Sequence, residues 1–245
     1  MKIKATVAYN GFRYCGWQVQ DNAVSIQEII EKTLGKITKT SRVEIFASGR
    51  TDAGVHALGQ VFHFDTDITM NENNWEQAMN SLLPEDMRIQ KIEFVADDFH
   101  ARYSVKGKRY RYLLNQGKAD PFHYQTIYQY GRILNIEQMK EAAKVFIGEH
   151  DFSTFSATKK EIVPNQVKNI HEIIFSETDG ILAIEFVGTG FLRYMVRMLM
   201  GTLIQVGEGK LTKEEVKHML EAKNREVRTV TAPACGLTLV EVEYK

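Results

Sequence analysis

The spacing of apolar residues predicts an α+β protein made of two ferredoxin-like β-α-β-β-α-β halves, residues 1–100 and 101–245, with adjoining antiparallel sheets and a central cleft. Three observations predict it. The same order of strand-type and helix-type segments runs twice along the chain. The 245 residues suffice for two small domains or one large one. A content of 44% hydrophobic and 25% charged residues is that of an ordinary packed core, not of a disordered chain.

In the first half, residues 2–9 alternate, with Ile3, Ala5, Val7 and Tyr9 on one face, as in a strand. Ile26, Ile29, Ile30, Leu34 and Ile37 fall at helical spacing. Residues 42–47 and 59–64 are strand-like and flank a glycine-rich turn. Trp75, Ala78, Met79, Leu82 and Leu83 mark a second helix, stopped by Pro84. Residues 89–95 close the half as a strand.

The second half repeats the order. Residues 109–114 form a strand, and Ile136, Met139, Ala143, Phe146 and Ile147 form a helix. Residues 167–175 and 181–187 are strands joined at Asp179-Gly180, a hairpin signal. Leu192, Met195, Val196, Leu199, Met200 and Leu203 mark a long helix, residues 213–222 a further one, and residues 237–244 a last strand. The loosest stretch is 153–165, rich in Ser, Thr, Lys and Pro.

Lys plus Arg and Asp plus Glu both number 31, which counts against a globally basic nucleic-acid binder. The balance is a sum of opposed regions. Residues 100–118 hold Arg102, Lys106, Lys108, Arg109, Arg111 and Lys118 and no acid, whereas residues 65–98 are predominantly acidic. Cys15 and Cys235 form no Cys-x-x-Cys, and the seven histidines show no metal-ligand spacing. Gly188-Thr-Gly190 lacks the third glycine of a dinucleotide loop, and Gly209-Lys210 is not a phosphate-binding loop. The N-terminal residues lack the apolar core of a signal peptide. The apolar run at 191–206 is interrupted by Arg193 and Arg197. A cytoplasmic protein without a membrane span is expected.

Three segments carry candidate chemistry. Ser48-Gly49-Arg50-Thr51-Asp52-Ala53-Gly54-Val55-His56 places an Asp near an Arg on a loop between glycines. Such an Asp stays ionised and serves as nucleophile or base, although the pattern also fits a turn whose Asp caps its own backbone. In residues 100–118, Tyr103, Tyr110 and Tyr112 interleave with the bases. That suits phosphate contact and base stacking, and equally a solvated strand with an aromatic core face. Arg193 and Arg197, four apart, lie beside an apolar helical stripe. They are there either to meet a carboxylate or phosphate or as surface residues.

In order, the chain carries Tyr9-Asn-Gly-Phe-Arg-Tyr-Cys-Gly-Trp17-Gln18, Val24-Ser-Ile-Gln27, Gly49-Arg-Thr-Asp-Ala-Gly-Val-His56 and Phe99-His-Ala-Arg102-Tyr. Lys108-Arg-Tyr110-Arg-Tyr112, Asp151-Phe-Ser-Thr-Phe155, residues 191–197 and Pro233-Ala-Cys-Gly-Leu237 follow. This ordered set resembles the TruA family of tRNA pseudouridine synthases over essentially the whole chain. The resemblance implies an isomerase that detaches a uracil from its ribose, turns it and rejoins it through carbon, with no metal, nucleotide or redox cofactor. Asp52 matches the family's catalytic aspartate, acting at either base or sugar. Tyr110 matches the aromatic residue that stacks on the target base, and Arg197 the arginine that pairs with the aspartate. Arg50 matches the arginine that helps displace the target nucleotide, and Leu237 an apolar residue of the pocket. Arg102, Lys106, Lys108, Arg109 and Arg111 are the candidate RNA-binding bases. The implied partner is tRNA, read at its anticodon stem-loop by a homodimer. A paralogous enzyme acting on another RNA such as ribosomal RNA, or a non-catalytic RNA-binding module, would share the fold; a pure binder has no need of the Asp52 carboxylate.

Overall fold

The computed structural model describes residues 1–244. Among them are ten strands and five α-helices. They form two compact units, Met1–Lys106 with Thr238–Lys245, and Gly107–Leu237.

The first unit opens with β1 (Lys2–Tyr9), whose buried face is Ile3, Ala5, Val7 and Tyr9, as the alternation predicts. In α1 (Ile26–Thr38) the Ser25 side chain accepts from the Glu28 amide, and Lys39 ends the helix in a left-handed conformation (φ 57°). Then come β2 (Phe46–Ala47), β3 (His56–Asp65), α2 (Glu72–Leu82) and β4 (Met87–Val95). Asn71 caps α2, and extended Leu83 before Pro84 stops it. Strand β1 is central, antiparallel to β4 on one side and β3 on the other, with β2 on the far edge of β3. This is the ferredoxin-like order. The helices bury Ile26, Ile30, Leu34, Trp75 and Met79. Trp75 meets Phe64 edge-on at 5.5 Å.

The second unit contains β5 (Val105–Asn115) from Gly107 onward, β6 (Tyr128–Gln129), α3 (Ile136–Ala143), β7 (Gly148–Asp151), β8 (Val167–Thr178) and β9 (Ile181–Gly188). Helices α4 (Met195–Gly207) and α5 (Lys213–Glu221) follow. Strand β9 lies antiparallel between β5 and β8, and β7 extends the sheet beyond β8. The β8–β9 turn has φ 52° at Asp179 and 76° at Gly180, the two positive values a tight hairpin of this type requires. A reciprocal capping box between Thr212 and Glu215 starts α5.

The last strand, β10 (Leu237–Tyr244), runs parallel to β3 through Thr238↔His56 and Leu239↔Ala57. It occupies the end of the β3 edge that β2 leaves open. For this reason residues from Thr238 onward group with the first unit rather than with the residues preceding them. Gly59 permits the approach, since a Cβ there would lie 2.6 Å from the Val240 carbonyl oxygen.

Four local expectations are corrected. The strand expected at 42–47 shrinks to β2 because buried Glu31 accepts from the Ile45 amide (3.3 Å) and pairs with Arg42 (2.5 Å), diverting that backbone from the ladder. Strand β3 begins at His56, earlier than expected. Helix α4 starts only at Met195, because Tyr194 is left-handed (φ 63°). The stretch at 153–165 begins as a buried 3-10 turn, Ser153–Phe155, with Phe155 edge-on to Phe146 at 5.3 Å. Among the described residues no helix is long and apolar enough to cross a membrane.

Trp75→Ala is expected to cost about 3–5 kcal/mol through the cavity it leaves against Phe64. A fall in the urea midpoint, with unchanged slope, is the check.

Candidate active site

In the first unit two turns are pressed together. Gly11 and Gly16 lie on the turn that follows β1, facing residues 51–55. A Cβ on Gly11 would sit 1.9 Å from the Val55 carbonyl oxygen, and one on Gly16 (φ 87°) 2.6 Å from that of Thr51. Only glycine fits at this distance. The contact is stitched by backbone bonds from Trp17 N to Thr51 O (3.1 Å) and from Gly54 N to Tyr14 O (3.2 Å). The Gly11 amide also donates to His56 Nδ1 (3.0 Å), which leaves the proton of a neutral ring on Nε2. The buried Tyr9 hydroxyl meets Thr51 Oγ1 at 2.9 Å. Burial pushes the Tyr9 phenol well above its ordinary value, against hydrogen bonds to Thr51 and Gln60, so it stays protonated.

Asp86 clamps the other side of the turn. Its carbonyl accepts from Asn10 N (2.9 Å), and its carboxylate from Arg13 (2.6 Å) and the Tyr14 hydroxyl (2.7 Å). The entry of the 48–56 loop is fixed by Gln60, which bonds Ser48 Oγ (2.7 Å) and the Gly49 carbonyl (3.0 Å). Asp52 thus sits, partly exposed, on a loop held from several directions, its own carbonyl accepting from Val55 N (3.1 Å). Arg50 is exposed, and no carboxylate among the described residues lies within ion-pair distance of it. Residue spacing pointed to Asp52 and Arg50. It did not point to the bracing by Tyr9, Gln60 and Asp86, whose only sequence signal was the glycine pair at 11 and 16.

Tyr110, Arg197 and Leu237 belong to the second unit. Tyr110 is buried on β5 and meets Phe191 edge-on at 5.3 Å. Arg197 lies in the first turn of α4. Its Nε donates to the Ala232 carbonyl (2.8 Å), and the Ala232 amide returns a bond to the Arg197 carbonyl (3.0 Å). Arg193 precedes the helix rather than sharing its flank, and both guanidiniums lie about 5 Å from the ring of Tyr194. Gly236 lets the 233–237 segment reach β5, since a Cβ there would be 2.6 Å from Tyr112 Cζ. The Tyr112 hydroxyl donates to the Pro233 carbonyl (2.9 Å), and Leu237 is buried. The Cys235 thiol is pushed up by burial, against the nearby Arg197 charge, so it is not a thiolate at neutral pH. Arg197, Tyr112, Cys235 and the chain leading to Leu237 therefore cluster, with Tyr110 on the same strand face as Tyr112.

The basic strand is less uniform than its sequence. Arg109 and Arg111 lie on the face of β5 opposite Tyr110, and both donate to Glu185 of β9 at 2.7 Å. Arg111 and Glu185 are cross-strand partners. Burial raises the Glu185 carboxyl, but the hydrogen bonds and charges of the two arginines outweigh it and hold the group below its ordinary value. Lys108 is partly exposed on the Tyr110 side. Arg102 and Lys106, in the first unit, are exposed, with no carboxylate among the described residues within ion-pair distance. No cluster of three potential metal ligands occurs among the described residues.

Gly11→Ala is expected to cost about 1–3 kcal/mol of stability by forcing the two turns apart. A lowered denaturant midpoint is the check. Glu185 has a depressed folded pKa, so its stabilisation is complete above its unfolded pKa of about 4.3 and is lost as pH falls through the folded value. The stability gap between the wild type and Glu185→Gln is therefore expected to be constant above about pH 5 and to shrink below about pH 4. Urea titrations across that range test it.

The tRNA pseudouridine synthase family model matches residues 5–104 and 142–245. Over 246 residues the chain is 44% identical to tRNA pseudouridine synthase A of Bacillus subtilis, covering 100% of this chain and 99% of that protein. It is 45% identical over 246 residues to tRNA pseudouridine synthase A of Exiguobacterium sp., covering 100% and 98%. It is 44% identical over 244 residues to tRNA pseudouridine synthase A 1 of Bacillus cereus, covering 99% and 98%. With full-length similarity of this degree, and the motif glycines explained by the fold, the chain belongs to the tRNA pseudouridine synthase family, isomerases that convert uridine in RNA to pseudouridine.

Proposed function

We propose that this chain isomerises uridines in the anticodon stem-loop of tRNA, as a cytoplasmic homodimer whose two subunits share the RNA. The observation that carries the reading is Asp52, a partly exposed carboxylate on a loop whose backbone is fixed by Gly11, Gly16, Tyr9 and Gln60. A binding module has no use for such a device.

The reaction exchanges the N1–C1′ bond of the nucleotide for a C5–C1′ bond. One proton leaves C5 and one arrives at N1, so atoms and electrons balance without a co-reactant. The protein must therefore supply a group that opens the glycosidic bond, a surface that holds the freed base, and control of two protons. In this reading Asp52 opens the bond, forming or promoting a covalent adduct. The target uridine must first leave its stack. Arg50, exposed beside the loop, aids that step. Tyr110 supplies the surface against which the base is held, and its phenol assists proton transfer. Arg197 is assigned as ionic partner of Asp52, and Leu237 as apolar lining that keeps the carboxylate poorly hydrated and reactive. Arg102, Lys106, Lys108, Arg109 and Arg111 are assigned to phosphate contacts. Arg109 and Arg111 are the weaker contributors, because Glu185 already holds them.

Asp52→Asn is expected to lower turnover to less than about a thousandth of wild type, with tRNA affinity largely kept. Tyr110→Phe should lower kcat and leave affinity unchanged. Chemical labelling of pseudouridine in unmodified total RNA treated with the protein tests the substrate. New sites confined to the anticodon arm support it, and product in ribosomal RNA alone overturns it.

A further inference from the structure

An aromatic series crosses the first unit from core to solvent. Buried His63 on β3 faces Phe46 on β2, their rings stacked at 5.2 Å. His100 lies 4.7 Å from His63 and 5.8 Å from Phe46, and the Tyr103 ring lies 4.4 Å from His100. Phe46 is 39% exposed and Tyr103 77% exposed. A single exposed tyrosine on a turn needs no explanation. This one, however, is the outer member of a constructed series.

The turn that carries it is fixed. Ala101 N donates to His63 Nδ1 and Arg102 N to His100 Nδ1, both at 3.1 Å. Ser104 N donates to the His100 carbonyl (2.9 Å), and His100 N to Ser104 Oγ (3.1 Å). Because each imidazole accepts at Nδ1, each is neutral with its proton on Nε2. Burial and the nearby Lys2 charge act in the same direction, lowering His100 and taking His63 to about 4. The rings are thus uncharged π surfaces at neutral pH. Tyr244 ties this turn to the catalytic loop. Its hydroxyl donates to the Ala101 carbonyl (2.7 Å) and is also in hydrogen-bond contact with Ser48, the first residue of the Asp52 loop.

At the inner end of the series Lys2 is paired with Asp65, but at the exposed end the charges are cations without carboxylate partners. The Arg102 guanidinium lies 5.9 Å from the Tyr103 ring centre, and neither it nor Lys106 has a carboxylate partner among the described residues. A flat uncharged ring next to an unpaired cation complements a nucleotide, which presents a π face and a phosphate.

We propose that Tyr103, backed by His100 and Phe46, stacks an unpaired base of the substrate RNA outside the catalytic pocket, while Arg102 meets a phosphate beside that base. The inference rests on the reading of the substrate as RNA and adds a subsite to it. The bond chain through Tyr244 holds this subsite in register with the Asp52 loop, so that a nucleotide away from the reaction helps to position the target uridine.

The test compares wild type, Tyr103→Ala, Tyr103→Trp and Arg102→Gln on an unmodified tRNA transcript, with circular dichroism to confirm folding. Tyr103→Ala is expected to raise KM and Kd about tenfold with kcat within about twofold, and Tyr103→Trp to restore both. Tyr103→Ala should leave the salt dependence of binding unchanged, whereas Arg102→Gln should reduce the log–log slope by about one. A transcript carrying 2-aminopurine at unpaired anticodon-loop positions should show fluorescence quenching with wild type and not with Tyr103→Ala. Unchanged KM, Kd and quenching in Tyr103→Ala, alongside normal product from wild type, would overturn the subsite alone and return the patch to a protein-contact role. Absence of pseudouridine from the wild-type reaction would instead overturn the substrate reading beneath it.

Discussion

The placing of Asp52 depends on one contact, the approach of the turn after β1 to residues 51–55. Carbonyl oxygens of Thr51 and Val55 stand where the Cβ atoms of Gly16 and Gly11 would otherwise be. This proximity lets Trp17 and Gly54 exchange backbone hydrogen bonds with the facing turn, and lets Tyr9 reach Thr51 from the core. A carboxylate buried without a charge partner would be neutralised by desolvation. The fold instead fixes the backbone on either side of Asp52 and leaves the residue partly exposed. Asp86 performs the same service one layer out, spending its carboxylate on Arg13 and Tyr14 to hold the turn that holds the loop.

The second unit uses a related device on different residues. Gly201 lets the 230–232 segment approach α4, where a Cβ would lie 2.1 Å from the Val230 carbonyl oxygen, and Gly236 lets the next residues reach β5. The outcome is a guanidinium, that of Arg197, held by a backbone carbonyl. Held in this way, Arg197 loses less conformational entropy on meeting an anion than a free arginine would. Both units therefore position a charged group by bringing backbone up to glycine, and in both the glycines lie outside the regular elements' apolar pattern or face a non-helical segment.

Most of the architecture was legible because it rests on periodicity. Ile3, Ala5, Val7 and Tyr9, or Trp75 and Met79, declare a buried face by spacing alone, and Asp179-Gly180 declares its turn by residue type. What escaped has no periodic signature. A two-residue ladder such as β2 or β6 is shorter than any repeat. The left-handed Tyr194 that delays α4 occupies a conformation that residue type disfavours. The parallel pairing of β10 with β3 is a long-range choice that local order does not encode. Among the candidate functional residues, Asp52, Arg50, Tyr110 and Arg197 stand out in the sequence as residue types suited to chemistry. Glu185 does not, because its bearing on Arg109 and Arg111 exists only once the register of β5 and β9 is known.

That register also changes what the neutral total charge means. The segment of 100–118 reads as six bases without an acid, but folding brings Glu185 against two of them. Three carboxylates of the acidic region are paired in the same manner: Lys2 pairs with Asp65, Lys4 and Lys91 with Glu93, and Arg13 with Asp86. Pairing of this kind removes much of the charge that composition counts, and exposed pairs add little field of their own beyond a Debye length of about 10 Å. Among the cations, what persists is the set left without carboxylate partners, and in the first unit Arg50, Arg102 and Lys106 belong to it. An anionic polymer senses those residues rather than the sum of 31 and 31. A protein of zero net charge thus has little general attraction for RNA, yet it can bind RNA at the places where its cations were left unspent.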